Sequence, residues 1–446
     1  MTATTLDRAA PGMAVADKAG PYAWYVAGLL SLAHLVSFLD RFVMSLVLVP
    51  LRTQMHLSDT QLGMLQGLGF VILYCIAGIP LGRLADVANR RWTIIVGILV
   101  WSVGTGACAF ADSFGGLFGA RVLVGLGEAA LVPAAMSLIA AYFPRRQLSR
   151  AVSIFTMGSP LGKTLALVAG AWLLSAVIPK SGLVLPGLGS FHPWQALFLA
   201  ATVPGLVLVG LLLGTLKEPA RLAPVALADG RFKAAAGYMA QHGAAYAFHI
   251  AAACCAIILV QAFGAWSPTL FSRVHHLSLS QTGYLVGTVV LIASPLGNLY
   301  GGWLTDQLHR RNVGGAPLVA IAAGLILVMP CALMLGQASS VAGAAVAFGL
   351  VTFFLSSTAG PCLAGVQYLT PTQHRGAVTA IYMCVMTLIA VGLGPTLIGL
   401  ISDVLFGAGA GIGKALTAAT LSIATLGIGL ALCGRRVFQA AVAGEG

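Results

Sequence analysis

Five ionisable side chains interrupt runs that are otherwise apolar: Asp40, Arg41, Arg121, Glu128 and Lys163. Inside a bilayer each such group costs roughly 2.5–3.5 kcal/mol on insertion scales, so it marks pairing, ion passage or proton relay. Two carboxylates among three cations suit the relay. A carboxylate that gains a proton releases its cation or alters its partner, which would bias an outward–inward equilibrium. Arg121 and Glu128 are two turns apart on one helical stripe, Glu128 about 10 Å deeper. Asp40 and Arg41 differ by about 100° around their helix, so only one can face a cavity squarely. The helical rise sets Asp40 and Arg121 at comparable depth, which predicts that they pair, since either alone would be expensive. Asp40 and Glu128 are then the expected proton-coupling groups, and Arg121 the cation they exchange.

Long apolar helices must position these groups. The chain has 446 residues, 59% hydrophobic and 8% charged, with mean hydropathy +0.94. A soluble protein carries about 25% charged residues, so a water-coated globule is excluded, and the apolar content excludes disorder. Apolar windows of about 20 residues predict twelve transmembrane helices. Six fall in the first half: Trp24–Pro50, Gln61–Gly82, Trp92–Ala111, Phe114–Tyr142, Leu148–Val177 and Trp194–Leu216. Six follow: Ala244–Phe271, Gln281–Thr305, Pro317–Gly336, Val341–Leu369, Ala377–Ile401 and Gly411–Cys433. The expected fold is an all-α polytopic membrane protein of two pseudo-symmetric six-helix bundles, 24–216 and 244–434. A tail (1–23), a linker (217–243) and a second tail (435–446) complete the chain.

Arg83, Arg90, Arg91, Arg145, Arg146, Arg150, the linker cations, Arg310, Arg311, Arg375, Arg435 and Arg436 fall on one side of the predicted membrane. Only Arg52, Lys180, Arg273 and Lys414 fall on the other. The positive-inside rule then places both termini in the cytoplasm, with the protein in the plasma (inner) membrane. This asymmetry accounts for the +12 net charge without a nucleic-acid partner. The tail lacks a cleavable-signal pattern. The eight cysteines form no CxxC pair and read as small core residues. No HExxH, GxSxG or Walker A motif occurs, so neither an enzyme nor a metal or other cofactor is expected.

The halves repeat each other. Gly82-Arg83-Leu84-Ala85-Asp86 with Arg90-Arg91 recurs as Gly302-Trp303-Leu304-Thr305-Asp306 with Arg310-Arg311. Leu57-Ser58 with Gln61 recurs as Leu277-Ser278 with Gln281 at the same offset. Two parallel six-helix bundles place a substrate cavity at their interface near the midplane. The G-x-L-x-D-x-x-x-R-R element resembles the signature loop of the major facilitator superfamily, over essentially the whole chain. The resemblance implies a gating role for Gly82, Asp86, Arg90, Arg91, Gly302, Asp306, Arg310 and Arg311. It departs at Val87 and Asn89, where a basic residue and glycine are usual.

A narrower resemblance rests on Asp40-Arg41, Asn89-Arg90-Arg91, Arg121-x-x-x-Gly125-x-Gly127-Glu128-Ala129 and Gly264-Ala265-Trp266-x-Pro268. These look like the Spinster branch, which implies transport of lysolipids and sphingolipids. The Asp-Arg and Gly-Glu-Ala elements are also similar to the organic anion:cation symporter branch, which implies sugar acids and related carboxylates. Lys163 departs from the Spinster pattern and favours an anionic substrate or head group. Arg41 and Lys163, with Gln261, Trp266, Asn298, Tyr300, Gln367 and Tyr382 from the second half, are the expected substrate contacts. The partners expected are a small molecule, a proton and the bilayer, with the chain a monomer. His34 is expected to be a hydrogen-bonded core histidine. Gly125 to Ala130 match a dinucleotide pattern, but a mid-helix setting favours close helix packing.

Overall fold

The computed structural model describes residues 19–187, 189–219, 229–407 and 411–444. Most of the expected N-terminal tail and the middle of the linker lie outside these, as does the side chain of Asp86. Among the described residues twelve helices are long and apolar enough to cross a membrane. They are α1 (Pro21–Leu46), α2 (Asp59–Ala85), α3 (Arg90–Phe110), α4 (Phe114–Tyr142), α5 (Arg146–Val177) and α6 (Pro193–Thr215) in the first bundle. The second holds α7 (Gly243–Val274), α8 (Leu279–Arg310), α9 (Ala316–Gln337), α10 (Val341–Leu369), α11 (Arg375–Leu405) and α12 (Ile412–Ala443). Twelve crossings return the chain to the face where it began, here the terminal face; the opposite one is the distal face.

Local chemistry sets several ends. Ser58 and Gln61 close a capping box at the start of α2, and Ser278 and Gln281 close its repeat at the start of α8. Pro21 and Pro193 occupy first helical turns, where a missing N–H costs nothing. α4 is interrupted at Ala129 and Ala130, just past Glu128. Wide five-residue π turns occupy Leu173–Val177 in α5 and Thr387–Val391 in α11.

Beyond shifts of a few residues at helix ends, three features differ from expectation. α1 stops at Leu46 rather than Pro50, and a separate short helix, Leu48–Met55, follows. Residues 435–443 are not a tail but the last turns of α12, anchored by buried Phe438 5.7 Å from the His249 ring. The linker contains a helix, Asp229–Gln241, whose Tyr238 stacks on His374 and donates to the Leu369 carbonyl. A small antiparallel hairpin, β1 (Leu183–Leu185) with β2 (Gly189–Phe191), joins α5 to α6, Leu183 facing Phe191 in register.

The bundles close on each other toward the distal face. Along the α2–α11 seam a Cβ on Gly63 would meet the Pro395 carbonyl, one on Gly67 the Gly392 carbonyl, and one on Gly399 the Asp59 carbonyl. Backbone therefore lies on backbone, an approach only glycine permits. On the opposite flank Gly283 of α8 presses the Leu167 carbonyl of α5.

Candidate functional site

Residues 34, 37, 38 and 41 form one stripe of α1, at the i, i+3, i+4, i+7 spacing of a helical face. That stripe lines a cavity of about 260 Å³ between the bundles, shared with Tyr74, Glu128 and Lys163 of the first bundle and with Gln261 and Thr387 of the second. Arg41 forms an ion pair with Glu128, 2.5 Å from guanidinium nitrogen to Oε2. The Ser37 hydroxyl donates to the same oxygen at 2.7 Å, while Oε1 has no hydrogen-bond partner. The guanidinium lies 3.9 Å over the Phe70 ring and 4.7 Å from that of Phe38. Aromatic faces favour cations electrostatically, which helps to offset lost hydration.

Lys163 of α5 also lines the cavity. Its ammonium is 4.8 Å from the Phe42 ring and 5.6 Å from Phe38. Among the described residues no carboxylate comes within 4 Å of it. Arg41 and Glu128 neutralise each other, so Lys163 leaves the cavity with one uncompensated positive charge. A site of that kind attracts an anion.

The expected Asp40–Arg121 pair does not form. Asp40 is fully buried and turned to α3, where Thr105 donates to Oδ2 at 3.3 Å; its other oxygen has no hydrogen-bond partner. Arg121 is also buried, but it turns to α2 and donates from Nε to the Leu65 carbonyl at 3.3 Å. The two side chains turn to different helices. Of the neighbours Asp40 and Arg41, it is Arg41 that faces the cavity, and it takes the carboxylate two turns below Arg121.

Of the second-half contacts expected for a substrate, Gln261 alone reaches this cavity. Trp266 is sealed between α7 and α11, donating from its indole nitrogen to the Pro395 carbonyl at 2.9 Å. Tyr382 is buried and its hydroxyl has no partner. Gln367 donates to Thr379 at 2.8 Å. Tyr300 packs against Trp303 and Phe353, and Asn298, two residues earlier, is exposed. In this structure these side chains are rotated away from that cavity: Trp266 and Tyr382 are packed, Gln367 is hydrogen-bonded and Asn298 is exposed.

The loop arginines work within the first bundle in this state. Arg90 is buried, donating to Glu218 at 2.7 Å and to the Pro219 carbonyl, and Arg91 donates to the Leu213 carbonyl. They staple α3 to the end of α6. Gly302 has open space around it, and Asp306, Arg310 and Arg311 are exposed. His34 stacks on Phe155 and hydrogen-bonds its carbonyl. Gly125 presses the Phe70 carbonyl and Gly127 the Gly97 carbonyl, which is close helix packing. Among the described residues no His, Cys, Asp and Glu cluster at metal-binding distance.

Sequence reasoning missed two features. Ser37 and Phe38 share the stripe of His34 and Arg41, a signal that was available. The second is a polar cluster at the distal face. Asp59, fully buried, accepts from Arg52 of the first bundle at 3.1 Å and from Arg273 and Ser402 of the second at 2.7 and 2.8 Å. Asp403 of α11 accepts from the Asp59 and Thr60 amides at 3.2 and 2.7 Å, capping the start of α2. The scarcity of distal cations pointed to Arg52 and Arg273, but not to a shared carboxylate.

Comparison with known proteins is consistent with this architecture. The model of the Major Facilitator Superfamily matches residues 30–395. The chain is 27% identical over 402 residues to an MFS-type efflux pump of Mycolicibacterium smegmatis, covering 87% of this chain and 86% of that one. It is 24% identical to the sphingosine-1-phosphate transporter SPNS2 of Danio rerio, covering 84% and 75%. A crystal structure of a bacterial homologue of the human lysosomal transporter Spinster, inward-facing and unoccupied, shares the fold with TM-score 0.78 at 22% identity, covering 95% and 97%.

Proposed function

This chain belongs to the major facilitator superfamily and is a multi-pass membrane transporter, and we propose that it moves an amphipathic or anionic small molecule by proton-coupled alternating access. Its substrate class is that of the Spinster branch, a lysolipid or sphingolipid with an anionic head. Both termini lie in the cytoplasm and the protein in the plasma (inner) membrane, which makes the distal-closed state inward-facing.

The observation that carries this reading is the Arg41–Glu128 pair beside the uncompensated Lys163. A proton on Glu128 dissolves the pair and frees Arg41. Arg41 and Lys163 then hold the anionic group together, while Gln261 of the second bundle reports its arrival across the seam. Proton and anion thus bind together, and anion binding strengthens as the pH falls. Asp40 and Arg121, each lacking a charged partner within 4 Å among the described residues, complete the coupling group.

A second reading has its own observation. A cavity of about 260 Å³ encloses a whole sugar acid but only the head of a lysolipid, which suits an organic-anion symporter. One experiment tests both: proteoliposome flux under an imposed pH gradient, with lysolipids and small carboxylates as cargo and thermal shifts on Lys163→Ala as control. Lysolipid flux that follows the gradient supports the first reading. Carboxylate flux alone moves the assignment to the second, and gradient-independent flux removes proton coupling.

A further inference from the structure

One polar atom on the cavity takes no part in holding the anion. His34 opens the α1 stripe that carries Ser37, Phe38 and Arg41, and its ring lines the cavity. The imidazole is held on three sides. It stacks on Phe155 at 4.4 Å, meets the Phe38 ring edge-on at 5.0 Å, and bonds the Phe155 carbonyl through Nδ1 at 3.1 Å. A carbonyl oxygen can only accept, so in the neutral ring the proton sits on Nδ1 and the lone pair on Nε2. Among the described residues Nε2 has no hydrogen-bond partner, and it is not buried. Ser37, by contrast, commits its hydroxyl to Glu128.

The backbone beneath the ring is equally fixed. A Cβ on Gly158 of α5 would meet the Ser31 carbonyl and the His34 side chain, and one on Gly162 would meet the Leu35 carbonyl and Phe38. The two helices are therefore in register, with His34 level with Gly158, and Phe38 level with Gly162 and its neighbour Lys163. One turn, about 6 Å, separates His34 from the level of Lys163, and two turns, about 10 Å, separate it from Arg41. We infer that His34 is a specificity-determining residue, whose Nε2 accepts a hydrogen bond from a hydroxyl that the substrate carries roughly 6–10 Å from its anionic group. This rests on the reading of Arg41 and Lys163 as the anion's contacts and adds a donor to the substrate's chemistry. An anion with a plain alkyl tail leaves Nε2 bare against hydrocarbon, whereas a hydroxylated one satisfies it. Both satisfy Arg41 and Lys163 alike, so the second polar group decides between them.

The probes are hexanoate and ω-hydroxyhexanoate, which differ by one terminal hydroxyl, titrated calorimetrically into purified full-length protein. The wild type should bind the hydroxy acid about two- to tenfold more tightly, the strength of one net hydrogen bond. His34→Phe keeps the ring stack and removes both nitrogens; it should abolish that preference and bind hexanoate as before. His34→Gln, whose amide oxygen can stand where Nε2 stood, should restore part of the preference. Equal weakening of both acids in His34→Phe would make His34 a structural residue and overturn the inference, as would a preference that survives the substitution. A wild type that does not distinguish the acids, whether it binds both or neither, overturns it without any variant. Lys163→Ala tells the two failures apart. Unchanged hexanoate binding there sinks the anion reading and the inference with it, whereas weakened binding beside an absent hydroxyl preference sinks the inference alone.

Discussion

The two bundles are built to one plan but charged differently. The interior of the first holds Asp40, Arg41, Arg121, Glu128 and Lys163, three of them on the cavity. The interior of the second is neutral at the same depth: Gln261 and Thr387 face the cavity, while Trp266 and Tyr382 are packed away. The repeat therefore fixes the scaffold and leaves chemistry free to concentrate on one side. A charge-bearing bundle facing a neutral one has a physical advantage. Proton and substrate can alter the electrostatics of one wall, and the other responds only through the seam between them.

Substitutions on each side can break that contrast or sharpen it. The largest effect is expected for Glu128→Gln. Removing one member of a buried charge pair costs about 2–5 kcal/mol, so gradient-driven flux should fall roughly 30-fold or more while the protein stays folded. Unchanged flux would take Glu128 out of the coupling. Lys163→Ala follows: loss of a charge-assisted bond of about 1.5–3 kcal/mol should weaken anion binding roughly ten- to hundredfold in a thermal-shift titration. A neutral ligand should be unaffected, and equal weakening of both would make Lys163 a packing residue.

On the neutral side the effects should be smaller and should appear in stability. Trp266→Phe removes the indole N–H that donates to the Pro395 carbonyl, a net loss of about 0.5–1.5 kcal/mol, and should lower the melting temperature with binding of the anion intact. Tyr382→Phe deletes a hydroxyl that has no partner and should move stability by no more than about 0.5 kcal/mol in either direction. A large loss of transport in Tyr382→Phe would place substrate chemistry in the second bundle and undo the comparison.

The fold was legible because a bilayer allows few solutions. Hydropathy alone located all twelve spans, while the starts expected at Gln61 and Gln281 fell two residues late, because the Ser58 and Ser278 caps open α2 at Asp59 and α8 at Leu279. The ends were harder. Apolar alternation does not distinguish a helix that stops at Leu46 from one that runs to Pro50, and the charged run at Arg435 concealed the final turns of α12. The site was legible in its members and not in its pairings. Depth follows from counting residues, but direction depends on how each helix is rotated, and one step of about 100° decides whether Asp40 or Arg41 faces Glu128 and the cavity. The distal cluster was hidden for a related reason: its residues sit at helix ends, where a charge ordinarily means a solvated loop.

The glycine seam between α2 and α11 has one more consequence. Smooth carbonyl-lined surfaces have no interdigitated knobs, so they can be peeled apart without any side chain first changing rotamer. Such a contact is quick to part and equally quick to reseat, but it offers little resistance of its own to thermal motion. Dwell time in either orientation must then come from its rim, and a handful of polar atoms around Asp59 can govern the tempo of a molecule whose mass is almost entirely hydrocarbon.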